Sequence, residues 1–523
     1  MQAMNLDKNS LPEDVETLKR MVCEYYSKVS ILEEEVRYWK YRLYGSKSEK
    51  LSPAERLQLC LLNEAEQGAA EAEPEQPDDQ TLVAAHTRAN KRGRKPLPEG
   101  LPRVEVVLDV PEEQKLCGCG AHKSIIGQET SERLDIIPAK IQVIREIRPK
   151  YACRSCEGVE DDGPTVVIAP PAPHIIPKGI ATAGLLAFVI TGKFEDALPF
   201  YRQAKQFARI GVEISRGTMC GWAIQVAVAC RVLLSHLRKE MLSGPLMQVD
   251  ETVVQVLEEP GRAPQTKSYM WLFRGGTRDH PLLEFRYHPT RAGSVASDYL
   301  AGYKGSVLTD AFAGYNFLDE RPGIVHAGCW AHVRRKFDEV LKSAPGGKDA
   351  KKPSTAETAL SYIRRLYAME AAAKKAGLTG AALVEERRDK ALPILTEFKG
   401  WLEQKALVTP PKMRLGNAIG YTLAQWKCLT VYVDHPEIPL DNNDAENAIR
   451  PFVVGRKNWL FAATQDGAHA SATLYSLIES AKANGHDPYH YLRYLFEKLP
   501  YAKTPEDYLA LLPHRLQPAA ILA

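Results

Sequence analysis

PLMQVDETVVQV, residues 245–256, is an apolar run of strand type broken by one acidic pair, Asp250-Glu251. β-Branched residues on both sides of the pair favour a pleated strand, whose side chains alternate between two faces. Two more strand-like runs follow, SYMWLFRGG (268–276) and PLLEFRYHP (281–289). A helical stretch around Ala292–Tyr303 leads to GSVLTDAFAGYN (305–316), a strand that ends on Asp310. The short strand GIVHAG (323–328) then runs into the helix CWAHVRRKFDEVL (329–341).

Strand–strand–strand–helix–strand–helix–strand–helix is the order of a ribonuclease H-like α/β layer. In that layer the first and fourth strands are neighbours, so Asp250 and Asp310 are expected to converge. A third acid, Glu446, stands in LDNNDAENAIRPFVVGRKNWLF (440–461), which reads as a helix carrying Asn442, Asn443, Arg450, Arg456 and Lys457. Two strand-borne Asp and one helix-borne Glu can make an all-oxygen cage for hard divalent ions, and an ion pair about 3.5–4 Å apart can clamp both oxygens of a phosphodiester displacement. The adjacent Arg and Lys suit a polyanionic substrate. Any one of these acids alone reads better as a turn cap or a solvated side chain; the combination favours chemistry. Glu251 is expected on the opposite face of its strand. Asp441 and Asp444 read as caps of the Glu446 helix. His326, Cys329 and His332 form an H-x2-C-x2-H, but His332 heads a helix bearing Arg334, Arg335 and Lys336. Packing, or a role near the scissile phosphate, is the expectation there, with Cys329, His332, Arg335 and Asn443 as supports.

The rest of the chain adds binding modules. From Ser354 to Lys427 the pattern is helical and charged, punctuated by Gly377, Gly380, Gly400 and Pro410-Pro411; it reads as an all-α insertion that postpones the last catalytic helix. Upstream, LPFYRQAKQFARIGVEISRGTMCGWAIQVAVAC (198–230) gives a helix, a turn at Gly211, an N-cap at Ser215 and a second helix from Arg216. This is a helix-turn-helix arrangement whose exposed start, Arg216 and Thr218, can enter a major groove, although any helical hairpin with a Gly turn looks similar. Cys117-Gly-Cys119 and Cys153-Arg-Ser-Cys156, separated by 33 residues, suit a structural zinc site. The first pair is one residue short of the usual spacing, and His122 could replace one of its thiols. The intervening IPAKIQVIREIRPKYA (137–152) alternates like a strand.

Arg88, Lys91, Arg92, Arg94 and Lys95 occur without an acid, after a stretch from Leu57 to Thr87 that has no Lys or Arg. Arg92-Gly93-Arg94, with Lys95, can slide into a narrow minor groove or simply contact phosphates along a solvated linker. At the N-terminus, Val15, Val22, Val29, Val36 and Leu43 recur every seven residues, with Leu11, Leu18, Tyr25, Leu32 and Trp39 offset by three. This is a two-stranded coiled coil of about 45 Å, which would make the chain a homodimer; the alternative is one amphipathic helix packed on its own domain.

At 523 residues the chain is too long for one core. Its 45% apolar and 25% charged residues are ordinary for a globular protein, and a net charge of +3 does not by itself imply nucleic acid. Neither a signal peptide nor an apolar run long enough for a bilayer is visible, and ten Cys without a secretory signal point to a reducing cytosol; a cytoplasmic protein without a membrane partner is the expectation. The segments divide as coiled coil 10–50, linker with basic hook 51–100, zinc-binding module 101–170, helical DNA-binding domain 171–243, first part of the catalytic core 244–345, insertion 346–430, last part of the core 431–473 and helical C-terminus 474–523.

VDET around Asp250, TDAFAGY around Asp310, GCWAHVRRKF from Gly328, the DNNDAENAIRPFVVGRKNWLF block and SLIESAKANGHDPYHYL from Ser476 together resemble the transposases of the bacterial insertion sequence 66 family, a branch of the DDE transposases. The resemblance covers nearly the whole chain. It implies a ribonuclease H-like catalytic domain, Asp250, Asp310 and Glu446 as ligands of two Mg2+ (or Mn2+) ions, transposon-end and target DNA as partners, and small accessory transposition proteins. Asn447 departs from the family pattern, which has Arg after the catalytic Glu. Two rivals remain at this point: a non-catalytic DNA-binding regulator derived from a transposase, and a nuclease or resolvase for branched DNA. An intact acid triad argues against the first, and the long N-terminal modules against the second.

Overall fold

The computed structural model describes residues 14–44, 141–152, 166–343 and 354–522. The chain forms two compact units, one spanning 74–171 and the other comprising the remaining segments. In the smaller unit, β1 (Lys150–Ala152) pairs antiparallel with β2 (Val166–Ile168), and the Arg148 guanidinium donates to the Ala169 carbonyl at 3.0 Å. The alternation from 137 predicts a longer strand than this. Among the described residues of that stretch, the ladder is confined to 150–152, because Pro149 has no N–H to donate and β2 offers three partners. Arg92, Arg94, Lys95 and the four cysteines at 117, 119, 153 and 156 lie outside the described residues.

In the larger unit, α1 (Val15–Tyr44) is a continuous 30-residue helix, and its Val15, Val22, Val29, Val36, Tyr25 and Leu32 are exposed. Four helices precede the sheet: α2 (Ala183–Phe194), α3 (Phe200–Arg209), α4 (Arg216–Ala229) and α5 (Arg231–Leu242). Gly211, at φ +80°, ends the turn after α3. Ser215 caps α4, its hydroxyl accepting from the Thr218 N–H at 3.1 Å.

The sheet comes next: β3 (Leu246–Glu258), β4 (Lys267–Gly276) and β5 (Pro281–His288) form an antiparallel meander. After α6 (Gly293–Tyr299), β6 (Gly305–Thr309) lies parallel to β3, and β7 (Ile324–Gly328) parallel to β6, giving the order β5-β4-β3-β6-β7. A 3-10 turn, Ala313–Asp319, makes the crossover between β6 and β7. The helix α7 (Trp330–Ser343) follows without a loop of any length.

The insertion is helical: α8 (Thr355–Lys375), α9 (Gly380–Glu386), α10 (Leu392–Val408), α11 (Arg414–Ala424) and α12 (Trp426–Thr430). Gly377 and Gly380 adopt positive φ at its breaks, whereas Gly400 sits within α10 and interrupts nothing. Of these, α8, α10, α11 and α12 pack with α7, β6 and β7 in one apolar cluster around Trp330, Phe337, Ile363, Phe398 and Tyr432. A second cluster joins α2–α5 to the sheet and to the C-terminal helices, through Leu237, Trp271, Phe273, Phe452 and Tyr475.

Downstream, α13 (Asn443–Trp459) is followed by β8 (Ala462–Thr464), which extends the far end of β3, and by α14 (Gln465–Ala483). The C-terminal helices thus begin earlier than the pattern from Leu474 predicts. Two serines of α14 cover the free edge of β5. Ser476 Oγ accepts from the Phe285 N–H at 2.7 Å and Ser480 Oγ from the Leu283 N–H at 2.9 Å, so these two outer amides are satisfied by side chains. Two helices, α15 (Pro488–Lys498) and α16 (Pro505–Ala510), and the short α17 (Pro518–Leu522) complete the chain. Among the described residues no single helix is long and apolar enough to cross a membrane.

Candidate active site

The β3–β6 register runs Leu246↔Ser306, Met247↔Val307 and Gln248↔Leu308. Continued by two residues, it sets Asp250 level with Asp310 on strands roughly 4.8 Å apart. Asp310 lies one residue past β6, where its Oδ1 accepts from the Phe312 N–H at 2.9 Å and so fixes the turn. Asp250 Oδ1 accepts from the Glu251 N–H at 2.9 Å.

Glu446 reaches the same place from α13. The buried Asn442 amide donates to the Val249 carbonyl at 3.0 Å, pinning the helix start one residue from Asp250. Four residues later, one helical turn on, Glu446 follows on the same face. Its Oε2 accepts from Arg335 at 3.0 Å. Its Oε1 is buried without a hydrogen-bond partner, 3.6 Å from His332 Nδ1, which is also buried and unpartnered. Cys329 Sγ completes this group, within 4.8 Å of both, and accepts from the Asn442 N–H at 3.2 Å.

The electrostatics follow from crowding. Burial, then repulsion from Glu251, Glu446 and Asp310, holds the Asp250 carboxyl well above the usual carboxylate range. Burial also pulls the His332 imidazole below its ordinary value, with Glu446 and Asp310 opposing and Arg335 and Lys336 assisting. Burial is the largest cause for Glu251 too, raising its carboxyl against the lowering effect of Tyr315 and Arg291. Glu251, expected on the opposite face of its strand, is nonetheless coupled to Asp310 through Arg291. Arg291 Nε donates to it at 2.6 Å, the Tyr315 hydroxyl holds its other oxygen, and the same guanidinium lies 4.0 Å from Asp310.

Of the expected supports, Cys329, His332 and Arg335 gather at Glu446. Asn443 turns instead to Asp441, donating to its Oδ2 at 3.0 Å, and Asn442 makes the link to β3. Asp441, also held by the Tyr367 hydroxyl at 2.7 Å, caps the loop before α13, and Asp444 lies 3.4 Å from Arg274. Arg456 donates to Thr252 Oγ1 at 3.3 Å. Thr252 stands two residues after Asp250, on the same strand face. Arg450 is half-buried on α13 and Lys457 exposed near its end, while Arg216 and Thr218 are exposed at the start of α4.

The donor set fits hard divalent cations. Asp250 is costly to ionise where it is buried beside Glu446 and Asp310, and a buried Glu446 oxygen has no donor. A cation relieves both.

Residues 178–470 match the family described as "Transposase IS66 family". The chain belongs to the IS66 transposase family. The family's C-terminal element matches 476–514, its zinc-finger domain 114–157, and a segment described as "Transposase C of IS166 homeodomain" matches 31–106. The IS66 match at 114–157 spans all four cysteines of the predicted zinc module. Two proteins of Sinorhizobium fredii (strain NBRC 101917 / NGR234) are similar along most of their length: the uncharacterized protein y4jD, 31% identical over 98% of both chains, and the uncharacterized protein y4qI, 30% identical over 91% of this chain and 87% of that one. As a member of the IS66 family, the chain has a transposase and DNA-binding role.

Proposed function

We propose that this IS66 protein cuts DNA at the ends of its own element and joins the freed ends to target DNA, using Asp250, Asp310 and Glu446. The observation that carries the reading is the convergence of these three acids: the β3–β6 register sets Asp250 level with Asp310, and Asn442 ties the start of α13, which carries Glu446, to Val249 beside Asp250. The sheet order β5-β4-β3-β6-β7, with an antiparallel meander beside two parallel strands, is what supports a ribonuclease H-like core.

The three carboxylates would hold two Mg2+ or Mn2+ ions. Bound there, the ions would activate the attacking oxygen and neutralise the leaving one, without a covalent protein–DNA intermediate. The protein's own part is positional. Asn442 ties α13 to β3, so the helix acid cannot drift from the strand acids. Arg335 orients Glu446 through one oxygen and leaves the other available. Arg291 absorbs the charge of Glu251, and that leaves Asp310 as the ligand on its side. Arg456, half-buried near the Asp250 face, together with Arg450 and Lys457, offers positive charge to phosphates. The exposed Val and Leu seam of α1 would pair two subunits, so that two ends are cut together. Arg216 and Thr218 would contact DNA at the start of α4. The cysteine module would hold structural zinc, and accessory proteins would complete the active complex.

The test is cleavage and joining of a labelled duplex that carries the element's terminal repeat, with Mg2+, for wild type and Asp310→Ala. The proposal expects repeat-end cleavage and strand transfer that vanish in the variant. Repeat-specific binding without cleavage, even with the accessory proteins added, would refute it in favour of a DNA-binding regulator.

A further inference from the structure

Away from the three acids, a second cluster brings together side chains that the sequence scatters. Asp319 closes the 3-10 turn after β6, His326 lies on β7 and Cys428 on α12. His326 Nδ1 is 2.7 Å from Asp319 Oδ1, and Cys428 Sγ is 3.8 Å from each of those atoms. The apparent H-x2-C-x2-H is therefore split in space: His326 faces this cluster, whereas Cys329 and His332 face Glu446.

On the far side of the ring, His326 Nε2 lies 3.0 Å from Thr309 Oγ1, which also reaches the Asp310 carbonyl at 2.8 Å. With Thr309 accepting from Nε2–H, the lone pair of a neutral imidazole falls on Nδ1, the ring atom that faces Asp319 and Cys428.

Thiol sulfur, imidazole nitrogen and carboxylate oxygen are the donors zinc takes. With bonds of about 2.0 Å to nitrogen and oxygen and about 2.3 Å to sulfur, one ion can reach all three atoms at their present separations. Asp319 is 43% exposed along its side chain, which leaves a fourth position open to water. The Nε2–Thr309 bond is the kind of outer-shell contact that fixes the tautomer of a ligating histidine.

We propose that Asp319, His326 and Cys428 bind a zinc-class divalent ion that fastens α12 and the β6–β7 crossover to the strand end carrying Asp310. This site shares no residue with the cysteine module at 117–156 or with the three acids, and it stands whether or not the catalytic assignment does.

The experiment uses the full-length protein, stripped of metal and titrated with Co2+, which reports thiolate ligation by its absorption. Cys153→Ser/Cys156→Ser serves as the background that removes the second cysteine pair of the other module. A thiolate–cobalt band should persist in that background and disappear when Cys428→Ala is added, with one fewer equivalent of bound metal per chain. A background without the band, or a band that survives Cys428→Ala, would overturn the proposal. Should Cys428→Ala fail to fold, Asp319→Asn in the same background replaces it, since that side chain is partly exposed. Its Co2+ affinity should fall about tenfold or more, at least the scale of losing an outer-shell partner. Unchanged affinity would overturn the proposal and leave a plain histidine–carboxylate hydrogen bond as the explanation of the 2.7 Å contact.

Discussion

Arg387 offers the sharpest test of how the insertion supports the site. It is 2% exposed and spends its guanidinium on five acceptors. Nε and Nη2 donate to the two oxygens of Glu370 at 2.8 and 2.9 Å; Nη1 donates to the carbonyls of Tyr432 and His435 at 2.7 and 3.0 Å; Nη2 also donates to that of Ile438 at 3.1 Å. Those carbonyls belong to the segment that leads into Asn442 and α13. Arg387→Met keeps most of the buried length but removes every donor. Breaking a buried ion pair from one side costs about 3–5 kcal/mol, and each stranded carbonyl about 1–3 kcal/mol. Glu370 is 20% exposed and the loop carbonyls can recruit some water, so we expect a total of about 4–6 kcal/mol rather than the full sum. Urea unfolding of the full-length protein, followed by far-UV circular dichroism, measures it. Arg387→Met/Glu370→Met should recover part of the loss, because the second change removes the stranded carboxylate. A single-variant cost below about 1 kcal/mol, or a double variant as poor as the two losses added, would refute the argument.

Three further predictions address the core, the pH response and assembly. A Cβ at Gly455 would meet the Tyr475 hydroxyl at 2.6 Å and Trp459 Nε1 at 2.9 Å, so Gly455→Ala should push α13 from α14 and cost about 1–3 kcal/mol in the same unfolding assay; an unchanged midpoint would contradict this close approach. Burial raises the Glu479 carboxyl to about 7 against the lowering effect of Lys482, so its contribution to stability is fully present below pH 4.5 and is lost as pH rises through 7. Glu479→Gln should therefore gain on wild type between pH 5 and pH 8, by up to about 3 kcal/mol less the lost Lys482 contact, and a difference that does not vary with pH would exclude the mechanism. Val29→Asp/Leu32→Asp places charge on the α1 seam and should turn a dimer into a monomer in sedimentation velocity; a dimer that persists would assign self-association elsewhere.

Much of the sheet is legible in the sequence because period-two patterning and β-branched runs mark β3, β4 and β5, and because the order of elements restricts which strands can be neighbours. The cap at Ser215 is equally local, a side chain satisfying an amide three residues on. Longer-range pairing is where the reading stops. Periodicity places Glu251 across its strand, but Arg291, 40 residues away, keeps it coupled to Asp310. Nothing local separates Asn442 from Asn443; the difference arises only when one amide finds the Val249 carbonyl. The same holds for Arg387 and for the meeting of Asp319, His326 and Cys428, whose partners lie up to about a hundred residues apart. Alternation from 137 to 152 likewise cannot tell how few residues a partner strand will offer.

In the proposed mechanism Asp250, Asp310 and Glu446, and not the neighbouring Glu251, carry the strand chemistry. One panel decides it: terminal-repeat cleavage rates in Mg2+ for Asp250→Asn, Asp310→Asn, Glu446→Gln and Glu251→Gln, each checked for wild-type unfolding and repeat binding. Losses of about a thousandfold or more are expected for the first three, equivalent to roughly 4 kcal/mol of barrier each, with Glu251→Gln within about tenfold of wild type. Near-normal cleavage by any of the first three, or a loss of equal size in Glu251→Gln, would contradict it.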